Sequence, residues 1–145
     1  MLGRLARWLR VLGYDATWDA NLPDAELAKQ AALEDRVLLT CDRRLAESRR
    51  VGRCLVLRPC DPLEQLRRVV DHFGLDVNRP LFARCTECNT PVETVEKRAV
   101  AGRVPERTFR EQERFTRCPG CGRVYWEGSH TRRMRRDLAI ALRGG

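Results

Sequence analysis

Two pairs of cysteines carry the strongest chemical signal in the sequence. Each pair has the spacing Cys-x-x-Cys, formed by Cys85 with Cys88 and by Cys118 with Cys121. Such a turn can present two thiolates to one ion, and tetrahedral Zn²⁺ takes four soft ligands of this kind. A polar, strand-like segment lies between the pairs. We therefore predict a zinc ribbon whose ion is structural, because four thiolates leave no open position for catalysis.

Two aspartates lie where an open parallel sheet would carry out chemistry. Asp42 follows a short apolar run that is typical of a buried strand, and Asp24 begins the helix leading into that run. Ligands of open α/β sheets bind beyond the carboxyl ends of the strands. Asp24 and Asp42 could there share Mg²⁺ or Mn²⁺, which activates water and stabilises phosphate displacement. The alternative is local, with Asp24 as a helix N-cap and Asp42 as a turn residue.

Basic residues are concentrated in the second half of the chain. The sequence has a net charge of +8, and residues 84–145 carry 14 basic and 8 acidic groups, a surplus of 6. Nearly all of these basic groups are arginines, which suit bidentate contact with phosphate. We predict an acidic polymer as the partner. A basic surface that serves only solubility is the alternative.

The first residues have the pattern of an amphipathic helix. Leucines at positions 2, 5, 9 and 12 form an apolar stripe, and Gly13 is placed to end the helix. A second stripe consists of Arg4, Arg7 and Arg10, and it is either a solvated face or the lining of a phosphate groove. Residues 14–18 then have the pattern of a short strand.

The next elements alternate between strand and helix. Apolar runs at residues 37–40 and 53–57 predict buried strands of a parallel sheet. A further helix is predicted between Asp61, its N-cap, and Gly74, which ends it. We therefore predict a small α/β domain with a mainly parallel sheet over residues 1–75.

Residues 81–145 are predicted to form the zinc ribbon, followed by a basic C-terminal helix over residues 131–142. The arginines of this helix, Arg132 and Arg133 among them, either bind nucleic acid or lie in water while the helix packs on the ribbon. Trp126 and His130 could stack on or hydrogen-bond a nucleotide. Alternatively, both pack the ribbon against the first domain.

The composition indicates a folded protein of a reducing compartment. No stretch approaches the roughly eighteen apolar residues of a membrane span, and the start lacks the apolar run of a signal peptide. We therefore expect a cytoplasmic protein without disulfides. The remaining cysteines, Cys41, Cys54 and Cys60, are predicted to be small buried residues.

Several segments resemble one family along nearly the whole chain. Residues 24–31 (DAELAKQA) and 37–42 (VLLTCD) look like the paired acidic motifs of PIN-type nucleases. Residues 1–10 (MLGRLARWLR), residues 125–130 (YWEGSH) and the cysteine pairs resemble the Mut-seven C-terminal RNase family. That family combines a PIN-like domain with a C-terminal zinc ribbon.

The resemblance implies a metal-dependent ribonuclease. Asp42 and Asp24 would bind the catalytic Mg²⁺ or Mn²⁺, and Arg43 would meet a phosphate of the RNA. Family members have a short strand before the opening Met-Leu-Gly, ending in an aspartate that provides the first catalytic carboxylate. Since this sequence starts at the methionine, we expect either a longer natural chain or a site that binds its cation poorly.

Two other functions are compatible with the sequence. A non-catalytic RNA- or ribosome-binding protein would use the same basic second half and would not depend on Asp42. A ribbon that docks on another protein would show no salt-sensitive binding of nucleic acid.

Overall fold

Helices and two short parallel strands form the first part of the chain, in a computed structural model that describes residues 2–48 and 51–143. The two strands, β1 (Leu38–Thr40) and β2 (Cys54–Val56), pair in parallel. The helices are α1 (Gly3–Val11), α2 (Asp24–Leu33), α3 (Arg43–Ala46) and α4 (Pro62–Phe73). The predicted α/β class with a small parallel sheet is confirmed. None of the described helices is long and apolar enough to cross a membrane.

Helix α4 is bounded by the residues that predicted it. The Oδ1 atom of Asp61 accepts a hydrogen bond of 2.8 Å from the backbone N–H of Leu63. Pro62 lies in the first turn of the helix. The N–H groups of this turn have no acceptor within the helix, so the N–H that proline lacks is not needed there. Gly74 ends the helix with a φ of 62°, a left-handed conformation that glycine adopts without strain. Both predicted ends are therefore confirmed.

An apolar core joins α1, β2 and α4 to the C-terminal helix α6 (Ser129–Ala141). One face of α6 provides Leu138, which is 3% exposed and packs within this core. The buried members of the core are Leu5, Leu9, Val11, Leu12, Leu55, Leu57, Leu66, Val69 and Leu138. The first and last helices of the chain are thus held by the same hydrophobic cluster.

A small antiparallel sheet forms in the second half of the chain. Its strands, in the order β3-β4-β5, are β3 (Glu93–Val95), β4 (Phe115–Arg117) and β5 (Val124–Tyr125). A short 3-10 helix (Lys97–Val100) and α5 (Glu106–Glu111) connect β3 to β4. Val100 and Phe115 are the large apolar residues buried here. Such a small core needs another source of stability, of the kind a metal site provides.

The strand predicted at residues 14–18 is wrong, because the structure assigns no strand to this segment. The segment is instead joined to distant parts of the chain by hydrogen bonds that involve side chains. The N–H of Ala16 donates a 3.1 Å hydrogen bond to Oδ1 of Asn89. The hydroxyl of Tyr14 accepts one of 2.7 Å from the N–H of Asp76. Extended backbone that is satisfied by side chains has the same local sequence pattern as a strand.

The three lone cysteines differ in their exposure. Cys41 and Cys54 are half-buried, whereas Cys60 is exposed. The prediction that all three are buried is therefore wrong for Cys60, which lies in the turn between β2 and α4, and it holds only in part for Cys41 and Cys54.

Candidate functional site

Two turns of the second half bring four cysteine side chains together. Cys85 and Cys88 precede β3, Cys118 follows β4, and Cys121 precedes β5. Their four sulfur atoms all lie within 4.8 Å of one another. The pairs Cys85–Cys121 and Cys88–Cys118 are separated by 3.6 and 3.2 Å. Zinc–sulfur bonds of about 2.3 Å in a tetrahedron place sulfurs about 3.8 Å apart, so the cluster could hold a zinc ion.

The backbone forms the same kind of turn at both cysteine pairs. The N–H of Asn89 donates to the carbonyl of Cys85 at 2.9 Å, and the N–H of Gly122 donates to that of Cys118 at 2.8 Å. Both donors have a left-handed backbone, with φ of 72° at Asn89 and 79° at Gly122. Glycine and asparagine tolerate this conformation better than other residues, so local sequence sets the turns.

Hydrogen bonds tune the ionisation of groups around the sulfur cluster. Hydrogen bonds between Cys88 and the side chain and backbone of Thr90 lower the pKa of Cys88 to about 6. Burial and the hydrogen bond to the Cys85 sulfur raise the pKa of Tyr125 to about 12, so its hydroxyl remains protonated and able to donate to a thiolate. Cys88 therefore forms a thiolate more readily than Cys121, whose pKa is raised to about 11 by burial and by hydrogen bonds with the other cysteines. The thiolate is the form in which cysteine binds metal.

A buried arginine links the first turn of the cluster to α1. Arg10 is only 7% exposed, so the prediction of a solvated face or a phosphate groove is wrong for this residue. Its Nε donates to the carbonyl of Ala16 and its Nη1 to that of Thr86, each at 2.8 Å. Burial lowers the pKa of the Arg10 guanidinium, and the charges of Cys85 and Cys88 oppose this effect. Arg10 therefore joins α1, the following loop and the cysteine turn.

Sequence reasoning missed this link, and the clearest available signal was helical spacing. Arg10 lies four residues after the buried Ala6, so both residues share a face of α1. Asn89 extends the same junction, because its side chain accepts from Ala16 N–H and donates to the carboxylate of Asp15. Arg36 also pairs with Asp15, at 3.0 Å.

Replacing Arg10 with methionine should lower the free energy of unfolding by about 2–4 kcal/mol. The variant keeps the length of the side chain but leaves the carbonyls of Ala16 and Thr86 without their charged donor. Urea unfolding followed by circular dichroism measures the loss. The exposed Arg4 of the same helix is the control, and Arg4→Met should change stability by less than about 0.5 kcal/mol. Equal effects of the two variants would show that the buried hydrogen bonds contribute little.

Asp42 lies at the carboxyl end of β1, as expected. Its Oδ1 atom caps α3 by accepting hydrogen bonds from Arg44 N–H at 2.9 Å and Leu45 N–H at 3.4 Å. Its own N–H donates to the hydroxyl of Thr40 at 3.0 Å. Both cap bonds end on one carboxylate oxygen, so the second oxygen takes no part in the cap. The side chain is exposed at this edge of the sheet.

Asp24 lines a cavity of about 350 Å³ between α1, α2 and β1. It is the first residue of α2, but Pro23 is the cap residue and no side chain makes the cap bond. Thr40 also lines this cavity, whereas Asp42 does not. Among the described residues, only the four cysteines form a group of three or more potential ligands close enough to hold a metal. Within the described residues, Asp24 and Asp42 therefore do not belong to any cluster of three potential metal ligands.

The remaining predicted residues fall into three places. Arg43 lines a cleft of about 450 Å³ at the carboxyl ends of β1 and β2, together with Arg58. Trp126 and His130 line a separate cavity of about 300 Å³ beside α6. Arg132 and Arg133 are exposed on α6, in the turn that follows His130. The structure thus brings Trp126 and His130 together and keeps Arg43 with the sheet edge.

Comparison with known proteins agrees with the resemblance noted in the sequence. Residues 1–138 match the model of the Mut7-C RNAse domain family. The human protein described as "Exonuclease mut-7 homolog" is 37% identical over 99 residues, covering 61% of this chain and 11% of that protein. This chain therefore spans about a tenth of the length of that relative. No solved structure matches the chain. The chain belongs to the Mut7-C RNAse domain family.

Proposed function

We propose that this protein is a metal-dependent ribonuclease that cleaves phosphodiester bonds of RNA. The observation that carries the proposal is the match of residues 1–138 to an RNAse domain family. The human relative, described as an exonuclease, supports nuclease chemistry. In this proposal residues 1–75 form a PIN-like domain, and residues 81–145 form a zinc ribbon with a basic C-terminal helix that binds the RNA.

The proposed reaction takes place at the carboxyl edge of the parallel sheet. Asp42 and Asp24 would hold Mg²⁺ or Mn²⁺, an ion that, when bound, activates water and neutralises charge on the phosphate. The cap on α3 orients the Asp42 carboxylate, and Thr40 fixes the backbone beside it. Arg43 and Arg58 line the neighbouring cleft and would contact the phosphates of the bound strand.

We also propose that the four cysteines hold a structural zinc ion. Their spacing and their sulfur separations support this assignment, and the ion would complete the small antiparallel sheet. Four thiolates leave no position for a water nucleophile, so cleavage is assigned to the sheet edge instead. The thiols must stay reduced, which favours a cytoplasmic location.

A non-catalytic RNA-binding protein is the second candidate. One observation favours it: in the part of the chain that the structure describes, no group of three or more acidic side chains is gathered for a hard cation. Hard divalent cations bind through several oxygen ligands, of which the carboxylates are the strongest. The arginines of α6 would serve either function equally.

Replacing Asp42 with asparagine should reduce RNA cleavage by about 100-fold or more, because the metal loses a charged ligand. Asparagine remains a good helix cap, so α3 should persist. Labelled single-stranded and structured RNA are incubated with the purified protein, with and without Mn²⁺. Divalent cations are removed by dialysis, because a chelator would also take zinc from the cysteines.

Asp61→Asn is the matched control for this experiment. Asp61 also follows the second strand of the parallel sheet and also caps a helix, α4, through one carboxylate oxygen. Cleavage by this variant should equal that of the original protein. Tight binding of RNA without Mn²⁺-dependent cleavage would support the non-catalytic candidate. Equal loss of cleavage in both variants would assign the effect of Asp42→Asn to the fold.

A further inference from the structure

We propose that the cavity beside α6 binds one unstacked nucleobase of single-stranded RNA. It has a volume of about 300 Å³, at the small end of the range for ligand sites in proteins. Its walls include the side chains of Phe82, Tyr125, Trp126, His130 and Met134. The inference rests on the proposed function in one respect, namely that RNA is the partner.

The aromatic walls of this base cavity are held in place by other parts of the protein. The hydroxyl of Tyr125 is hydrogen-bonded to the sulfur of Cys85 at 2.9 Å, which ties its ring to the cysteine cluster. Trp126 packs on the buried Phe115, with ring centroids 6.4 Å apart. The guanidinium of Arg135 lies 5.3 Å from the centroid of the Phe82 ring. Rings that are already ordered lose little conformational entropy when a base stacks on them.

The base cavity also contains polar groups that could bind the edge of a base. Thr86, Thr116 and Thr131 line it, and His130 is exposed at its surface. The hydroxyl of Thr131 already donates to the carbonyl of Trp126 and keeps its capacity to accept, whereas hydroxyl groups in general both donate and accept hydrogen bonds. An imidazole ring can also stack. An apolar cavity with a few convergent polar groups is typical of a small-molecule or base site.

The charges around the base cavity favour a nucleotide over an uncharged ligand. Two acidic lining residues are each paired with an arginine: Glu87 with Arg7 at 2.7 Å, and Glu127 with Arg135. Arg114 adds a further positive charge to the lining, and Arg132 and Arg133 follow on the exposed face of α6. The net charge of this mouth is positive, and it would attract the phosphates on either side of a bound base.

The base cavity is separate from the proposed cleavage site. Its lining residues come from α1, residues 81–87, β4 and β5 with the residues next to them, and α6, and none comes from the parallel sheet or α3. A base bound there would hold the strand by stacking, at a distance from Asp42. The inference therefore adds a base-dependent component to binding that phosphate contacts alone would not give.

The first experiment compares RNA with an abasic strand. Fluorescence anisotropy measures binding of a labelled eight-nucleotide single-stranded RNA and of an equally long strand that lacks bases, at the same salt concentration. The Asp42→Asn protein is used without added divalent cation, so that no strand is cut during the measurement. Stacking of one base predicts about 5- to 150-fold weaker binding of the abasic strand. Equal affinity for both strands would overturn the inference, because phosphates alone would then account for binding.

The second experiment assigns the base dependence to the cavity. Trp126→Ala should weaken binding of RNA by a similar factor and leave abasic binding unchanged, while Trp126→Phe should restore most of the affinity. Trp18→Ala is the control, because Trp18 is 47% exposed and lies outside the cavity. His130→Ala, at an exposed position, gives a second test that does not depend on the packing of Trp126. Base dependence that survives both Trp126→Ala and His130→Ala would overturn the assignment to this cavity.

These outcomes are distinct from those that test the nuclease. Base-dependent binding without Mn²⁺-dependent cleavage would leave the inference standing and remove the proposed activity. Mn²⁺-dependent cleavage combined with equal affinity for RNA and abasic strands would support the nuclease and overturn the inference about the base cavity. Zinc content and thermal unfolding are measured for each variant, and if Trp126→Ala is unfolded, the abasic comparison and His130→Ala decide.

Discussion

Replacing Cys118 with serine is expected to abolish zinc binding and unfold the antiparallel sheet. Cys118 is completely buried, and its sulfur lies 3.2 Å from that of Cys88 within the cluster. Serine offers a hard, protonated hydroxyl in place of a thiolate, which Zn²⁺ binds poorly. The free energy of metal binding is folding free energy in a small module of this kind, so several kcal/mol should be lost.

The zinc content of the purified protein should fall from about one ion per chain to nearly none, as elemental analysis would show. Thermal unfolding, followed by circular dichroism, should begin at a markedly lower temperature. Cys60→Ser is the matched control, because Cys60 is exposed and lies outside the cluster. A Cys118→Ser protein that retained both the zinc ion and the melting temperature would contradict the assignment of the four cysteines to one structural metal site.

Leu138→Ala should lower the free energy of unfolding by about 2–5 kcal/mol, the usual cost of deleting a buried leucine side chain. Leu138 is 3% exposed and packs with residues of α1 and α4. The same substitution in an exposed position costs far less. Urea unfolding monitored by circular dichroism gives the difference in stability.

Ile140 is the control for this prediction, since it is on the same helix but 61% exposed. Ile140→Ala should change stability by no more than about 0.5 kcal/mol. A single transition for the Leu138→Ala protein, shifted to lower urea, would show that α6 unfolds together with the core. If instead only the helical signal of α6 were lost while the rest unfolded as before, α6 would be an independent appendage.

The features predicted correctly from sequence are those fixed by neighbouring residues. Asp61 and Gly74 define the ends of α4 through their own hydrogen bonds and backbone conformation. The cysteine pairs behave similarly, because a Cys-x-x-Cys turn orients its two sulfurs by local geometry. Short apolar runs bounded by charged residues were sufficient to predict both parallel strands.

Two of the errors concern residues whose partners are distant in sequence. Residues 14–18 have the pattern of a strand, but the backbone N–H of Ala16 donates to the side chain of Asn89, and the side chain of Tyr14 accepts from the backbone of Asp76. Arg10 resembles its exposed neighbours Arg4 and Arg7, yet it binds the carbonyl of Thr86. Neither partner can be inferred from the periodicity of one segment, because periodicity reports only which residues share a face.

In the candidate cleavage site, too, the features set by neighbouring residues were predictable from sequence and those set by distant packing were not. The location of Asp42 after β1 follows from strand prediction, and the cap that it forms on α3 is a local consequence of its side chain. The relation of Asp24 to Asp42 depends on how α2 packs against β1. That packing puts Asp24 in a cavity that Asp42 does not line. The spacing of the two residues in sequence contains no information about this arrangement.

A ribosome synthesising this chain would release α1 and α4 well before Leu138 is made. Until then the core that these two helices share lacks Leu138, one of its buried members. Exposed apolar surface of this kind attracts other chains and chaperones. The nascent first half would therefore expose the part of its core that Leu138 covers until the last helix emerges.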